Sequence, residues 1–108
     1  MRIKMRSIIL IATFLGIPAI SQAWDGVNTG VISAVQVTDG NILGFRVFLT
    51  NVSTYCTGGG TAYLNAGDSN YQVYVAALLM AKSLGSTVTV YANNDSAGNC
   101  HIGYINVN

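Results

Sequence analysis

The chain has 108 residues, 51% of them hydrophobic and only 8% charged, with a formal net charge of +1. Three of its five basic residues, Arg2, Lys4 and Arg6, open the chain, leaving Arg46 and Lys82 against Asp25, Asp39, Asp68 and Asp95, a balance near −2. Two isolated cations cannot neutralise a run of phosphates, which argues against nucleic-acid binding, and one histidine, two cysteines and scattered aspartates without any glutamate leave neither a zinc ligand set nor a carboxylate pair for catalysis.

Residues 1–23 have the pattern of a secretory signal: the basic start, the apolar run SIILIATFLGIPAI, and Ser21-Gln22-Ala23 as a small-x-small cleavage site. Such a run, broken by Pro18, is shorter than the roughly 20 residues needed to cross a bilayer. The expectation is a secreted or periplasmic protein that begins at Trp24 and has no transmembrane segment in its mature chain. Residues 24–108 contain no repeat, charge block or Pro-rich linker and are expected to form one domain. A domain of this size is marginally stable without help. Two cysteines in an exported chain supply that help most simply as a Cys56–Cys100 disulfide, a cross-link of about 4 kcal/mol in the chain-entropy model.

In chain order, GVISAVQVT is strand-like, with Val31, Val35 and Val37 on one face, and leads to Asp39-Gly40-Asn41, the signature of a tight hairpin turn. FRVFLTN follows as its partner, with Phe45, Val47 and Leu49 alternating against Arg46, Phe48 and Thr50. VSTYCTGGG is a loop, its triglycine taken as flexible, and TAYLN a short third strand. A helix begins near Asp68: Ser69 and Gln72 fit a capping box, YQVYVAALLMAKSL is compatible with helix, Lys82 sits in the last turn and Gly85 ends it. STVTVY alternates strictly, ANNDSAGN is rich in turn residues, and CHIGYINV is the last strand. Three strands, one helix and two strands make a mainly β protein in the order used by the OB-fold, a five-stranded Greek-key barrel; an open antiparallel sheet with the helix on one face is the alternative.

On a helical wheel Val73, Met80 and Leu84 fall together, while Tyr71, Tyr74, Val75 and Leu78 form a second flank joined to them through Ala77 and Ala81. A helix on one sheet needs an apolar stripe a little over about 100° wide, and this arc is roughly twice that. Either two edge tyrosines widen the arc by burying their rings and wetting their hydroxyls, or the helix self-associates through Met80, Leu84 and Leu78 into a homo-oligomer, the reading with which the poverty of charge agrees.

His101 follows Cys100 directly, but neighbours on a strand point to opposite faces and cannot converge on one atom. An ordinary strand histidine is expected, with no metal, no cofactor and no enzymatic activity. Gly58-Gly59-Gly60 precedes a strand, where a phosphate cradle precedes a helix. Asn51-Val52-Ser53 and Asn94-Asp95-Ser96 match the N-glycosylation pattern, which matters only in a eukaryotic secretory pathway. Ten Asn and six Tyr among residues 24–108, with few charges, suit hydroxyl-rich ligands such as sugars.

Trp24 after the cleavage site, GVISAVQV and FRVFL as a first hairpin, one helix closed by Gly85, and STVTVY followed by a Cys near the last strand together resemble the binding subunits of bacterial AB toxins, particularly the subtilase-cytotoxin type. The resemblance extends over nearly all of residues 24–108, as a pattern of elements shared with other short exported bacterial proteins. It implies an OB-fold, a ring of five subunits with helices around a channel, a catalytic toxin subunit as partner and recognition of cell-surface glycans. Its glycan site maps a strand-start hydroxyl onto Thr29, where the family has Ser, an acidic residue onto Asn28 or Asp25, and the sugar-contacting aromatic onto Ala92, with Tyr91 beside it as the aromatic offered here. The expected function is a non-catalytic glycan-binding module, with a structural or accessory cell-surface protein as the alternative.

Overall fold

The computed structural model describes residues 24–108, so the expected signal segment lies outside the described residues. The elements are β1 Gly26–Val37, β2 Phe45–Leu49, β3 Ala62–Leu64, α1 Tyr71–Leu84, β4 Thr87–Asn94 and β5 Cys100–Val107. Their order is the expected one, and the fold is mainly β with a single helix. β1 pairs antiparallel with both β2 and β4, β2 with β3, and β4 with β5. β3 lies parallel to β5, so the pairing closes on itself. A parallel pair needs a long crossover between its strands, and α1 with β4 provides it.

Strict alternation builds the core. Phe45, Val47 and Leu49 on β2, Val88, Val90 and Ala92 on β4, and Cys100 and Ile102 on β5 are buried, with Leu78 and Ala81 of α1 packed against them. Each large apolar side chain removed from water contributes about 1.5–3 kcal/mol. Tyr71, Tyr74 and Val75 flank the buried side of α1, which lies across β1, β4 and β5.

Four expectations are corrected. Val31, Val35 and Val37 do not share a buried face, because the pairing of β1 with β2 slips between Ile32 and Ala34 and an extra residue inverts the alternation. Ile32 is buried while Val31 is exposed; past the slip Val35 turns inward against Val47, and Val37 lies open at the strand end. The Ser33 hydroxyl donates to the Phe48 carbonyl at the slip. The tight hairpin is instead a wider connection over residues 38–44: Ile42 N–H donates to the Asp39 carbonyl and Thr38 N–H to the Gly44 carbonyl, while Leu43 N–H donates to the Asn65 side chain and Ala66 N–H to the Gly40 carbonyl.

The capping box does not form. The helix starts at Tyr71, and Asn70 in the left-handed region takes the cap position in place of Ser69, with no side-chain cap hydrogen bond. Its other end is as expected: Gly85 has φ 68°, its N–H donates to Lys82 O, and Ser86 N–H donates to Ala81 O. The triglycine, lastly, is a hydrogen-bonded turn. Tyr55 N–H donates to Gly59 O and Gly59 N–H to Cys56 O, Gly58 takes φ 78°, and Gly59 packs on both disulfide sulfurs where any side chain would collide.

The Cys56–Cys100 disulfide forms as expected, with Cα atoms 5.6 Å apart across 44 residues of sequence. It ties the loop before β3 to the start of β5. Replacing both cysteines by alanine is expected to lower the unfolding free energy by about 2–4 kcal/mol in urea titrations. Intact-mass analysis after alkylation of the unreduced protein is expected to find no reactive thiol.

Candidate functional site

The alternation of β1 divides the four expected site residues into two pairs. Asn28 points toward the half-buried side of the strand with Gly26 and Ile32, whereas Val27, Thr29 and Val31 point outward. Asp25 is exposed and held by the end of β4: its N–H donates to Asn93 Oδ1 (3.0 Å), and its Oδ2 accepts from Asn94 N–H (2.9 Å). Asn28 Nδ2 donates to the Tyr55 carbonyl (3.3 Å). These two residues line one shallow groove, whose far wall is Thr54, Tyr55, Cys56 and Thr57. The wall stands so close that a side chain on Gly26 would run into the Tyr55 carbonyl.

Thr29 and Tyr91 lie on the outer face of the sheet. Thr29 is opposite Thr89, their hydroxyls 2.8 Å apart, and Thr89 is opposite Asn106 on β5. The neighbouring row is Val27, Tyr91 and Tyr104. Tyr91 and Tyr104 meet edge to face with centroids 4.7 Å apart, and Trp24 stacks on Tyr104 at 6.5 Å and leans on Tyr91 at 5.8 Å. A row of aromatic faces therefore runs beside a row of hydroxyl and amide groups. Val27 borders both this face and the groove, so the two pairs adjoin at residues 25–27.

A second register slip positions the aromatic row. Tyr91 pairs with Tyr104 but Ala92 with Ile102, which leaves Gly103 as the extra residue. The Trp24 indole occupies the space a side chain there would need, since a Cβ would lie 2.6 Å from the ring. The Gly103 carbonyl accepts from Tyr74 Oη of α1 (2.7 Å). Sequence reasoning missed Thr89, Tyr104, Asn106 and the packing of Trp24. The alternation of STVTVY places Thr89 with Tyr91, but the partners on β5 depend on a slip whose only local sign is a glycine between Ile102 and Tyr104.

Cys100 faces inward in its disulfide and His101 outward, as strand alternation requires. His101 Nε2 is 2.7 Å from Asp68 Oδ2, and its ring stacks on Tyr63 at 5.1 Å. Tyr63 Oη donates to Asp95 Oδ2 (2.7 Å), whose other oxygen accepts from the Ala97 and Asn99 N–H groups. That phenol bond, with the backbone donors, holds the Asp95 carboxyl below its ordinary range, while burial and the facing carboxylate push the Tyr63 phenol far upward. Both carboxylates are thus occupied in clasps, one joining β5 to the turn before α1 and the other joining β3 to the β4–β5 turn. Among the described residues no three His, Cys, Asp or Glu side chains gather to hold a metal ion.

The expected interface residues also separate. Leu78 is fully buried in the core and is not available to a partner, a correction that follows from its position on the sheet-facing side of α1. Met80 and Leu84 are exposed at 63% and 71%, and Val73 at 67%. Val73 and Ala77 also line a depression between α1 and β5, with Tyr104, Ile105 and Val107 on its other side. No described helix is long and apolar enough to cross a membrane. Compared with known proteins, the chain matches no family model, no curated protein and no solved structure.

Gly103→Ala is expected to displace the indole, costing about 1–3 kcal/mol of stability. Because Trp24 is the single tryptophan, its emission should move to longer wavelength in the same variant. The Tyr63–Asp95 bond gives a pH test. A carboxyl whose folded pKa is lowered contributes stability that is present above its unfolded value near 3.9 and is lost as pH falls through the folded value. The melting temperature of the unaltered protein should exceed that of Tyr63→Phe at pH 7, and the gap should close as pH falls below about 4.

Proposed function

We propose that the closed five-strand sheet is an OB-fold and that the chain is an exported, non-catalytic binding subunit recognising cell-surface glycans as a homo-oligomeric ring. The observation that carries this reading is the aromatic row of Trp24, Tyr91 and Tyr104 beside the hydroxyl and amide row of Thr29, Thr89 and Asn106. A sugar ring presents an apolar face with hydroxyls at its rim, and the two rows offer a stacking surface and hydrogen-bonding groups in matching positions. Asp25 and Asn28 in the adjoining groove extend the polar contacts.

The fold assignment is supported by a helix between β3 and β4, by β1 pairing with both β2 and β4, and by closure through β3 and β5. The non-catalytic reading is supported by the clasped states of Asp68 and Asp95. Assembly is supported by Val73, Met80 and Leu84, an exposed apolar stripe along one side of α1. Five subunits and a catalytic toxin partner come from the resemblance to AB-toxin binding subunits. Weak single sites gain strength when repeated around a ring, which couples assembly to binding.

Light scattering at micromolar concentration is expected to give a mass several times that of one chain, and Met80→Glu to reduce it to the monomer. On a glycan array the assembled protein should bind. Tyr104→Ala and Thr29→Ala should each weaken the signal about tenfold or more, and Met80→Glu about a hundredfold through lost avidity. A monomer without array signal would leave the structural or accessory role as the better account.

A further inference from the structure

We infer that copies of the chain join edge to edge, the second half of β1 in one copy adding to the second half of β5 in the next, so that Gln36 of the neighbouring copy extends the polar row of Thr29, Thr89 and Asn106; this rests on the assembly reading above. Two open strand edges carry the argument. Asn108 N–H donates to the Thr87 carbonyl (2.9 Å), and Val107 lies opposite Val88. The bonds of an antiparallel pair fall on alternate residues, so β5 bonds to β4 through Tyr104 and Asn106. Ile105 and Val107 turn their N–H and carbonyl groups to the other side, where β3 reaches only Cys100 and His101. The same parity leaves an edge on β1. Thr38 N–H donates to the Gly44 carbonyl (2.8 Å), which puts the bonds to β2 on Ala34 and Gln36. Val35 and Val37 face away, and β4 accompanies β1 no further than Val31. Among the described residues nothing pairs with the backbone groups that Val35, Val37, Ile105 and Val107 turn outward.

Natural sheets blunt an open edge with charged side chains or proline, and residues 33–37 and 104–107 contain neither. The two edges also fit each other. Paired antiparallel, with Val37 against Ile105 and Val35 against Val107, they satisfy every open group on both strands and bring Gln36 opposite Asn106. The faces match as well: Ile105 and Val107 line the α1 side of β5, and Val35 packs against the core of its own copy. Val37, 72% exposed, then covers the depression formed by Val73, Tyr74 and Ala77 beside β5. Because the two edges differ, the contact runs head to tail and closes into a ring, whereas a two-fold dimer would join like edges.

The test combines Gln36→Cys with Asn106→Cys in one exported chain. Within a copy these positions lie on strands that do not pair. Across the joint they form a non-bonded antiparallel pair with Cα atoms about 4.5 Å apart, within reach of a disulfide. Non-reducing electrophoresis is expected to show a ladder beyond the dimer for the double variant and nothing beyond a dimer for either single one. Val107→Pro removes an edge donor that β4 does not use and should weaken assembly about fivefold or more in light scattering, with the circular dichroism of the unaltered protein. Gln36→Ala, at unchanged mass, should lower the array signal about fivefold. An assembled protein that gives no ladder, or whose assembly ignores Val107→Pro, would overturn the joint while leaving assembly through α1 intact. A ladder with an array signal indifferent to Gln36→Ala would strike Gln36 from the site. A monomer at every concentration would overturn both the joint and the assembly on which it rests.

Discussion

The tie between Cys56 and Cys100 determines where the loop after β2 can go, and the surrounding geometry follows from that placement. With Cys56 fastened to the first residue of β5, residues 54–57 are brought over the start of β1, so close that Gly26 can carry no side chain. The Tyr55 ring fills the core beneath them, and its hydroxyl accepts from Leu49 N–H and donates to the Val52 carbonyl, shaping the turn that leaves β2. The wall of the groove is therefore an extension of the core rather than a surface loop. Glycines at 26 and 59 are the residues that permit this approach, one against backbone and the other against sulfur.

Two single-residue slips give the sheet its chemical sidedness. The slip near Ser33 lets Ile32 and Val35 both face the core although an odd number of positions separates them. The slip at Gly103 lets Ile102 and Ile105 do the same while Tyr104 is turned outward to meet Tyr91. Without the second, Tyr104 would point into the space that Ile105 fills. The outer aromatic row and the inner aliphatic layer are thus consequences of one extra residue in β5.

What could be read in advance was whatever local pattern determines. β2 and β4 follow directly from alternating residues, and the helix stop from Gly85 with Lys82 before it. The pairing of Cys56 with Cys100 needed only an even count and an expected compartment. The divergence of Cys100 and His101 needed only the pleat of a strand. The slips and the wide connection after β1 were not legible, because each involves a partner distant in sequence: Phe48 for Ser33, Trp24 for Gly103, Asn65 for Leu43. The same holds for the site. Asp25, Asn28, Thr29 and Tyr91 do lie near one another, but their division between groove and outer face depends on strand register, and Trp24 and Tyr104 enter only through the glycine between two strand residues.

The parallel ladder between β3 and β5 bears on how the molecule reaches this state. β5 is the last element, yet it provides one side of two ladders, one half of the cross-link, the seat for the Trp24 ring and the partner of Asp68. Almost every such contact spans a large part of the chain, and contacts of that kind form slowly because the intervening segment must first be confined. A nascent chain appearing from its amino end has β1, β2 and α1 before it has anything to close them. Until β5 is made, Cys56 has no partner thiol, β3 has an unpaired edge and α1 lacks part of its cover. Closure of the sheet therefore waits on β5, and a chain still lacking it exposes sticky surface.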